Sequence, residues 1–172
     1  MDTVAEAVQE CDSLGIRVLP PDVNSSLVDF TYISDREIRF GLTAVKNLGE
    51  DIARSLINER KARGEYRDLT DFLVRLKNST LNKKSLESLI KSGVMDTFGE
   101  RGVLLSNVDG MLDFLRRQKT GVTNQTSLFA LDAPVVRLKA AAPATPVERL
   151  LWEKELLGIY LSGHPFADQQ KV

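Results

Sequence analysis

The segment 41–60 carries two apolar stripes of helical spacing, separated by a short polar break. Leu42 and Val45 form the first stripe, and four apolar residues between positions 52 and 57 form the second. The break at 47–49 reads Asn-Leu-Gly, and both Asn and Gly tolerate the positive φ that a tight turn requires. The pattern therefore predicts a short helix, a turn and a longer helix, which together make a helical hairpin.

The start of the second predicted helix is a candidate anion site. The first backbone amides of a helix have no acceptor inside the helix, and they attract anions such as phosphate. Lys46 and Arg54 would add positive charge, whereas Glu50 and Asp51 bring negative charge to the same place. Acids at a helix start also suit a plain hairpin, because they complement the helix dipole. A phosphate-binding turn and a plain structural hairpin both stay open on these residues.

This turn resembles the helix-hairpin-helix motif of proteins that bind the DNA backbone. The motif has the pattern hydrophobic, Gly, hydrophobic, Gly, followed by a small residue packed between the helices. Leu48, Gly49 and Ala53 fit this pattern, and Asn47 stands where the motif has its first Gly. The resemblance implies sequence-independent contacts between the turn and phosphates.

A second pair of helices is predicted after the first. Asp68 and Asn82 are N-cap residues that each precede an apolar stripe, and Lys83 and Lys84 lie at the turn between the two helices. This pair looks like a degenerate repeat of the first hairpin. Paired hairpins can straddle a duplex and hold both strands by their phosphates, and simple packing of the second pair against the first is the alternative.

The charge distribution favours an anionic partner in the middle of the chain. The net charge is −1, but residues 36–91 hold 13 Lys and Arg against 8 Asp and Glu, while the remainder holds 10 against 16.

Cys11 is the only cysteine and His164 the only histidine, so we expect no internal disulfide, metal site, cofactor or catalytic triad. The chain shows neither a membrane span nor a signal peptide, and we expect a cytoplasmic, nucleoid-associated protein without membrane contact.

The remaining segments complete a mainly α prediction. Residues 16–19 form a short strand, and alternating residues from Val28 to Phe40 predict a small β-hairpin near the N-terminus. One helix, interrupted at Gly110, is expected before position 120. Residues 120–145 have no sustained period and predict a linker. A capping box at Thr145 opens a last helix that runs toward Tyr160.

The predicted linker contains the pentapeptide Gln-Thr-Ser-Leu-Phe at positions 125–129. Leu and Phe on a flexible tether are costly unless another surface buries them. The two side chains could fold back on the core. The pentapeptide also resembles the sliding-clamp-binding motif of bacterial proteins, Gln-x-Ser-Leu-Phe.

The whole chain resembles the family of bacterial DNA polymerase III alpha subunits. The resemblance rests on CDSLGIRVLPPDVNS at 11–25, IRFGLTAVK at 38–46, NKKSLESLIKSGVMD at 82–96 and LLGIYLSGHP at 156–165. It implies a piece that follows the catalytic palm, so the palm carboxylates lie elsewhere and we expect no catalysis in this chain. In that family the clamp-binding motif lies in the same interval, which supports the interpretation of 125–129.

The resemblance implies five regions. They are the end of the fingers with a β-hairpin (1–40), tandem helix-hairpin-helix motifs (41–98), a packing helix (99–119), a linker with the clamp motif (120–145) and a helix that leads to an oligonucleotide-binding fold (146–172). The expected partners are double-stranded DNA, the sliding clamp and the remaining domains of the polymerase subunit, which would adjoin both chain ends.

The expected site residues fall into two sets. The predicted DNA-contacting residues are Lys46, Asn47, Leu48, Gly49, Asp51, Arg54, Lys83 and Lys84. The predicted clamp-contacting residues are Gln125, Ser127, Leu128 and Phe129. A rival interpretation is a module that packs on other polymerase domains without touching DNA, and an apolar outer face on the helix 50–60 would favour it. A second rival, a hairpin domain of the DNA repair or ligase type, agrees less well with the matches at 20–25 and at the C-terminal helix.

Overall fold

Seven α-helices and a three-stranded sheet make up the described part of the chain, residues 2–121 and 133–163 of a computed structural model. The helices are α1 (Asp2–Ser13), α2 (Glu50–Arg63), α3 (Leu69–Arg75), α4 (Lys83–Lys91), α5 (Arg101–Ser106), α6 (Val108–Thr120) and α7 (Pro146–Leu157). The strands are β1 (Arg17–Leu19), β2 (Thr31–Ser34) and β3 (Glu37–Arg39). Single 3₁₀ turns occupy Leu42–Ala44 and Asp96–Phe98. The mainly α fold class is therefore confirmed. None of the described helices is both long and apolar enough to cross a bilayer.

The small sheet contains the predicted hairpin and one further strand. β2 and β3 pair antiparallel, with Tyr32 opposite Ile38, and β1 adds on the other side of β3 as a parallel strand. The resulting order is β1-β3-β2. β3 leads directly to Gly41, where an added Cβ would lie 2.4 Å from the backbone carbonyl carbon of Asp29. Only glycine fits this close crossing, which leads the chain from the sheet into the helical region.

The helices pack around one apolar core. The residues of the second stripe, Ile52, Ala53, Leu56 and Ile57, are all buried in α2. They join buried side chains from α3, α4, α5 and α6 in a single cluster. Because burying one such side chain stabilises a fold by roughly 1.5–3 kcal/mol, this cluster is the main support of the helical region.

The single helix expected before position 120 is two helices, and the break falls at Asn107 rather than at Gly110. The Asn107 side chain donates to the carbonyl oxygen of Val103 at 2.8 Å, and its Oδ1 accepts the amide of Lys139 at 2.8 Å. These bonds satisfy the chain where the backbone leaves helical geometry, at φ −104° and ψ 7°. Gly110 lies inside α6. The break depends on a contact 32 residues away, which helical periodicity does not report.

Residues 133–145, called the strap below, contain no helix or strand but are held against the helices. The amide of Val136 donates to Oγ1 of Thr70 at 3.0 Å, and Lys139 exchanges two hydrogen bonds with Asn107. A Cβ on Gly102 would lie 2.4 Å from the amide nitrogen of Ala144, so the end of the strap crosses α5 at van der Waals contact. The strap is thus a fixed part of the surface.

A buried ion pair joins α5 to α7. Arg101 donates two hydrogen bonds to Asp96 and one to Oε1 of Glu153 at 3.1 Å, and it caps the carbonyl of Lys91 at the end of α4. Oε2 of Glu153 accepts the amides of the chain after α7, at positions 161 and 162. Burial alone would raise the pKa of the Glu153 carboxyl, but the hydrogen bonds from Ser162, its neighbour and Arg101 outweigh burial and lower this pKa.

Candidate nucleic-acid interface

The first hairpin turn takes its positive φ at Asn47, with φ 63°. Asn is one of the few residue types besides Gly that adopt this left-handed region readily. Gly49, which we expected to share this role, has φ −68° and ψ 152° and is the N-cap of α2. The first arm of the hairpin is also shorter than predicted, a single 3₁₀ turn at Leu42–Ala44. The turn therefore connects a 3₁₀ turn to a 14-residue α-helix.

The start of α2 is uncovered. Among the described residues, no side chain caps the helix at Gly49, and a Cβ built on this residue meets no atom within 4 Å. Gly49, Glu50 and Asp51 are exposed, and their amides have no acceptor among the described residues. Unpaired amides at the positive end of a helix dipole favour an anion, so this helix start presents three donors to solvent.

The residues just before this helix start anchor the turn. Leu48 is buried, and its amide donates to the carbonyl of Val45 at 3.3 Å. The amide of Lys46 donates to the carbonyl of Leu156 in α7 at 2.9 Å. Both amides are therefore already bonded within the protein. One of them, the Leu48 amide, was among those predicted to contact DNA. The Lys46 side chain is exposed and forms no ion pair within the described residues.

Arg54 pairs with the acid nearest the turn. Its Nε donates to Oε1 of Glu50 at 2.8 Å, and both side chains are more than half exposed. An exposed pair of this kind is worth only about 0–1 kcal/mol, so the guanidinium can exchange Glu50 for another anion at small cost. Arg54 thus offsets the negative charge of Glu50 beside the helix start, while Asp51 has no ion pair in the described part of the chain.

The start of α4 in the second hairpin is closed by its own side chains. Oδ1 of Asn82 accepts the amide of Ser85 at 3.0 Å, and Oγ of Ser85 accepts the amide of Asn82 at 2.9 Å. This reciprocal capping box satisfies two backbone donors. Nζ of Lys83 bonds Oδ1 of Asp109 at 2.9 Å, and this contact raises the pKa of the Lys83 ammonium. Lys83 is therefore directed to α6.

Lys84, in contrast, lies on the face of α4 that carries Ser88, a neighbour of the first turn. Nδ2 of Asn47 lies 3.5 Å from Oγ of Ser88, at the outer limit of a hydrogen bond. Ser88 follows Lys84 by four residues, so the two lie on one face of α4, about 5–6 Å apart along the helix. Lys84 is exposed and without an ion pair in the described ranges. Of the two predicted lysines of the second hairpin, Lys83 pairs with α6, whereas Lys84 shares a helix face with Ser88, which lies beside Asn47.

The outer face of α2 is polar. The apolar residues of this helix are buried, and its exposed positions are Glu50, Asp51, Arg54, Asn58, Lys61, Ala62 and Arg63. The apolar face that would have favoured a pure packing module is therefore not found on this helix.

Other site classes have little support among residues 2–121 and 133–163. No group of His, Cys, Asp and Glu side chains there could hold a metal ion. A cavity of about 650 Å³ lies between α1, β1 and the residues after α7, and none of its lining residues belongs to the 46–51 turn. The predicted clamp motif at 125–129 lies outside the described residues.

Sequence reasoning missed two residues that position the turn, Ser88 and Leu156. Each contacts the turn from a distant part of the chain, Ser88 through its hydroxyl and Leu156 through its backbone carbonyl. A backbone carbonyl leaves no trace in the residue type, and Ser88 is one of two serines in α4. Local patterns therefore gave no signal for either contact.

The geometry of the turn agrees with the comparison to known families. The chain belongs to the helix-hairpin-helix family, whose motif model matches residues 15–103. It is similar to three proteins named DNA polymerase III subunit alpha. The chain is 44% identical to that of Thermus aquaticus over 165 residues, 38% identical to that of Deinococcus radiodurans over 176 residues and 34% identical to that of Saccharopolyspora erythraea over 186 residues. These matches cover 95%, 98% and 99% of this chain, respectively. The chain spans only 13–15% of the length of these relatives.

Proposed function

We propose that this chain binds the backbone of double-stranded DNA as a non-catalytic part of a bacterial replicative polymerase, and that it supports processive replication. The observation that carries the proposal is the uncapped start of α2 at Gly49, in a chain that belongs to the helix-hairpin-helix family. Polymerising chemistry would reside in other parts of the polymerase, the remaining domains of which would pack around this chain.

The grip would work through hydrogen bonds and charge. The amides of Gly49, Glu50 and Asp51 would donate to phosphate oxygens, while Lys46, Lys84 and Arg54 would supply positive charge. Because such contacts reach phosphates and not base edges, binding would be independent of sequence. Each neutralised phosphate releases counterions, so affinity would fall steeply as salt rises. Lys83 would contribute less, because its side chain is directed to Asp109 of α6; that pair is as exposed as the Arg54–Glu50 pair, so the difference is one of direction and not of strength.

A second contact would join the chain to the sliding clamp through Gln125, Ser127, Leu128 and Phe129. Burying Leu128 and Phe129 would contribute at most about 3–6 kcal/mol, reduced by the cost of ordering the chain around them. Such a contact is weak alone. Attachment to the same DNA would raise the effective concentration of the motif near the clamp, which makes a weak contact sufficient.

The first test is charge reversal at Lys46. Lys46→Glu should lower the affinity for duplexes of arbitrary sequence about tenfold at low salt and reduce the salt slope by about one. Fluorescence anisotropy at two salt concentrations measures both quantities. Lys61→Glu is the matched control, because Lys61 is exposed near the opposite end of α2 and has no ion pair in the described part of the chain. Equal affinities for parent, mutant and control would contradict the proposal.

Backbone-amide NMR locates the contact. Titration with a short duplex should shift the resonances of Gly49, Glu50 and Asp51 first, and the shifts should fade as salt rises. Salt-independent binding, or shifts centred away from the turn, would favour the packing-module alternative. An unchanged spectrum at low salt would leave clamp binding as the remaining function, and loss of clamp binding in Phe129→Ala would test that part separately.

A further inference from the structure

A groove lies between α6 and the strap. Its volume is about 330 Å³, and it is built from α6 and residues 135–139. The floor is apolar, with Met111 and Phe114 from the helix and Val136 and Leu138 from the strap. The groove is preformed, because the amides of Val136 and Lys139 donate to Oγ1 of Thr70 and Oδ1 of Asn107 and so fix the strap on both sides of Arg137.

The rim of this groove is cationic. Arg117, Arg137 and Lys139 line it, are exposed, and form no ion pair among the residues that the structure describes. Exposure alternates along the strap: Val136 and Leu138 are half-buried, whereas Arg137 and Lys139 are exposed, so the two cations lie on the solvent side of the apolar floor. Asp113 is the acid in the groove, and it is paired with Arg116 at 2.7 Å. The rim is therefore positive and open to an anionic partner.

An apolar floor inside a charged rim is the arrangement of a protein interface, in which a desolvated centre is surrounded by polar contacts. A nucleic-acid backbone would match the cations but would leave the apolar floor without a partner. The groove also flanks the chain that carries the clamp motif. Position 117 precedes residues 125–129 by eight positions, and position 137 follows them by the same number. A protein that binds the motif is thereby held close to the rim.

We propose that this groove, built from α6 and the strap, docks an acidic, apolar-containing surface of the protein that binds Gln125–Phe129. This inference rests on the proposed clamp contact. The groove would act mainly on association, because complementary charges steer the encounter of two proteins, while the apolar motif determines how long the complex lasts. The partner surface must therefore carry carboxylates beside the pocket that receives Leu128 and Phe129.

The experiment compares association rates with the sliding clamp of the same organism. In the whole chain, Arg137→Glu combined with Lys139→Glu should lower the association rate constant about tenfold at low salt and much less at high salt. The dissociation rate should change little. The matched control is Arg36→Glu combined with Lys61→Glu, because both residues are exposed and have no ion pair within the described residues. Thermal unfolding of each variant confirms that it is folded.

The outcomes separate the two proposals. If the parent chain and Phe129→Ala both fail to bind the clamp, the proposed clamp contact fails and the groove inference falls with it. If the parent binds and the groove variant associates as fast as the parent, only the groove inference is overturned. A groove variant that loses duplex affinity while its clamp association is unchanged would assign the groove to nucleic acid and would also overturn the inference. A tenfold slower association, with the control unchanged, supports it.

Discussion

The two hairpins differ at the start of their second helices. α2 begins at Gly49 with no side-chain cap, whereas α4 begins at Asn82 with a reciprocal capping box. The C-terminal ends of both helices are capped by an arginine. Arg75 donates to carbonyls at the end of α2, and Arg101 donates to a carbonyl at the end of α4. Side-chain hydrogen bonds therefore cap only the C-terminal end of α2, whereas they cap both ends of α4.

This difference separates binding from support. Backbone amides that already donate to a capping side chain are not available to a ligand, whereas uncapped amides are. α4 also contributes more to the junction with α5, α6 and α7, through Arg101, Asp109 and buried apolar residues. We therefore expect changes in the first hairpin to act on DNA affinity and changes around the second to act on stability. The following substitutions test that division.

Arg101→Ala should have the largest effect. It would leave Glu153 and Asp96 without their buried partner, and breaking a buried pair in this way costs roughly 3–5 kcal/mol of the free energy of unfolding. Urea denaturation measures the loss. Arg116→Ala, which removes only an exposed pair with Asp113, should cost less than about 1 kcal/mol. Similar losses for the two variants would show that the junction around α4 is not the main support.

Gly49→Asp should convert the start of α2 into a capped one like that of α4. The new carboxylate would accept the helix amides and repel phosphate, so duplex affinity should fall at least about tenfold, since a hydrogen bond to a charged group contributes roughly 1.5–3 kcal/mol. The free energy of unfolding should stay the same or increase slightly. Gly49→Ala is the steric control, because the space around this position is empty. Anisotropy titrations that find Asp and Ala variants equal would contradict phosphate binding at this helix start.

Asn82→Ala should act in the opposite way. Loss of the cap would lower the free energy of unfolding by about 1 kcal/mol, while duplex affinity should stay within twofold of the parent. Thermal unfolding and anisotropy on the same sample measure the two effects. If the loss of binding free energy exceeded the loss of the free energy of unfolding, the second hairpin would also bind phosphate.

The two lysines at the start of α4 should differ by a small amount. Lys84→Gln should weaken duplex binding by a few-fold and lower the salt slope, because Lys84 shares a face of α4 with Ser88, which lies beside the first turn. Lys83→Gln should change affinity less than about twofold, because the Lys83 side chain is directed to Asp109 of α6. Equal losses would indicate that Lys83 leaves Asp109 when DNA binds.

Local chemistry made much of this fold predictable. The caps at Asp68, Asn82 and Thr145 appear where the sequence places them, and each side chain accepts the amide three residues later. The apolar stripe of α2 is buried as its spacing indicates. The short strand at 16–19 was also predicted, and it is β1. Its parallel pairing with β3 and the break at Asn107 were not predictable, because each depends on a partner far along the chain.

The candidate site, like the fold, was predictable in part from the sequence. The sequence by itself determined that a turn with Asn47 and Gly49 would begin a helix, because φ preferences and helical periodicity are local properties. Only the tertiary structure decided which donors and cations remain available. The Lys46 amide bonds Leu156 and the Lys83 ammonium pairs with Asp109, whereas the start of α2 stays open among the described residues. These outcomes depend on distances between segments that are remote in sequence, and residue order alone does not specify such distances.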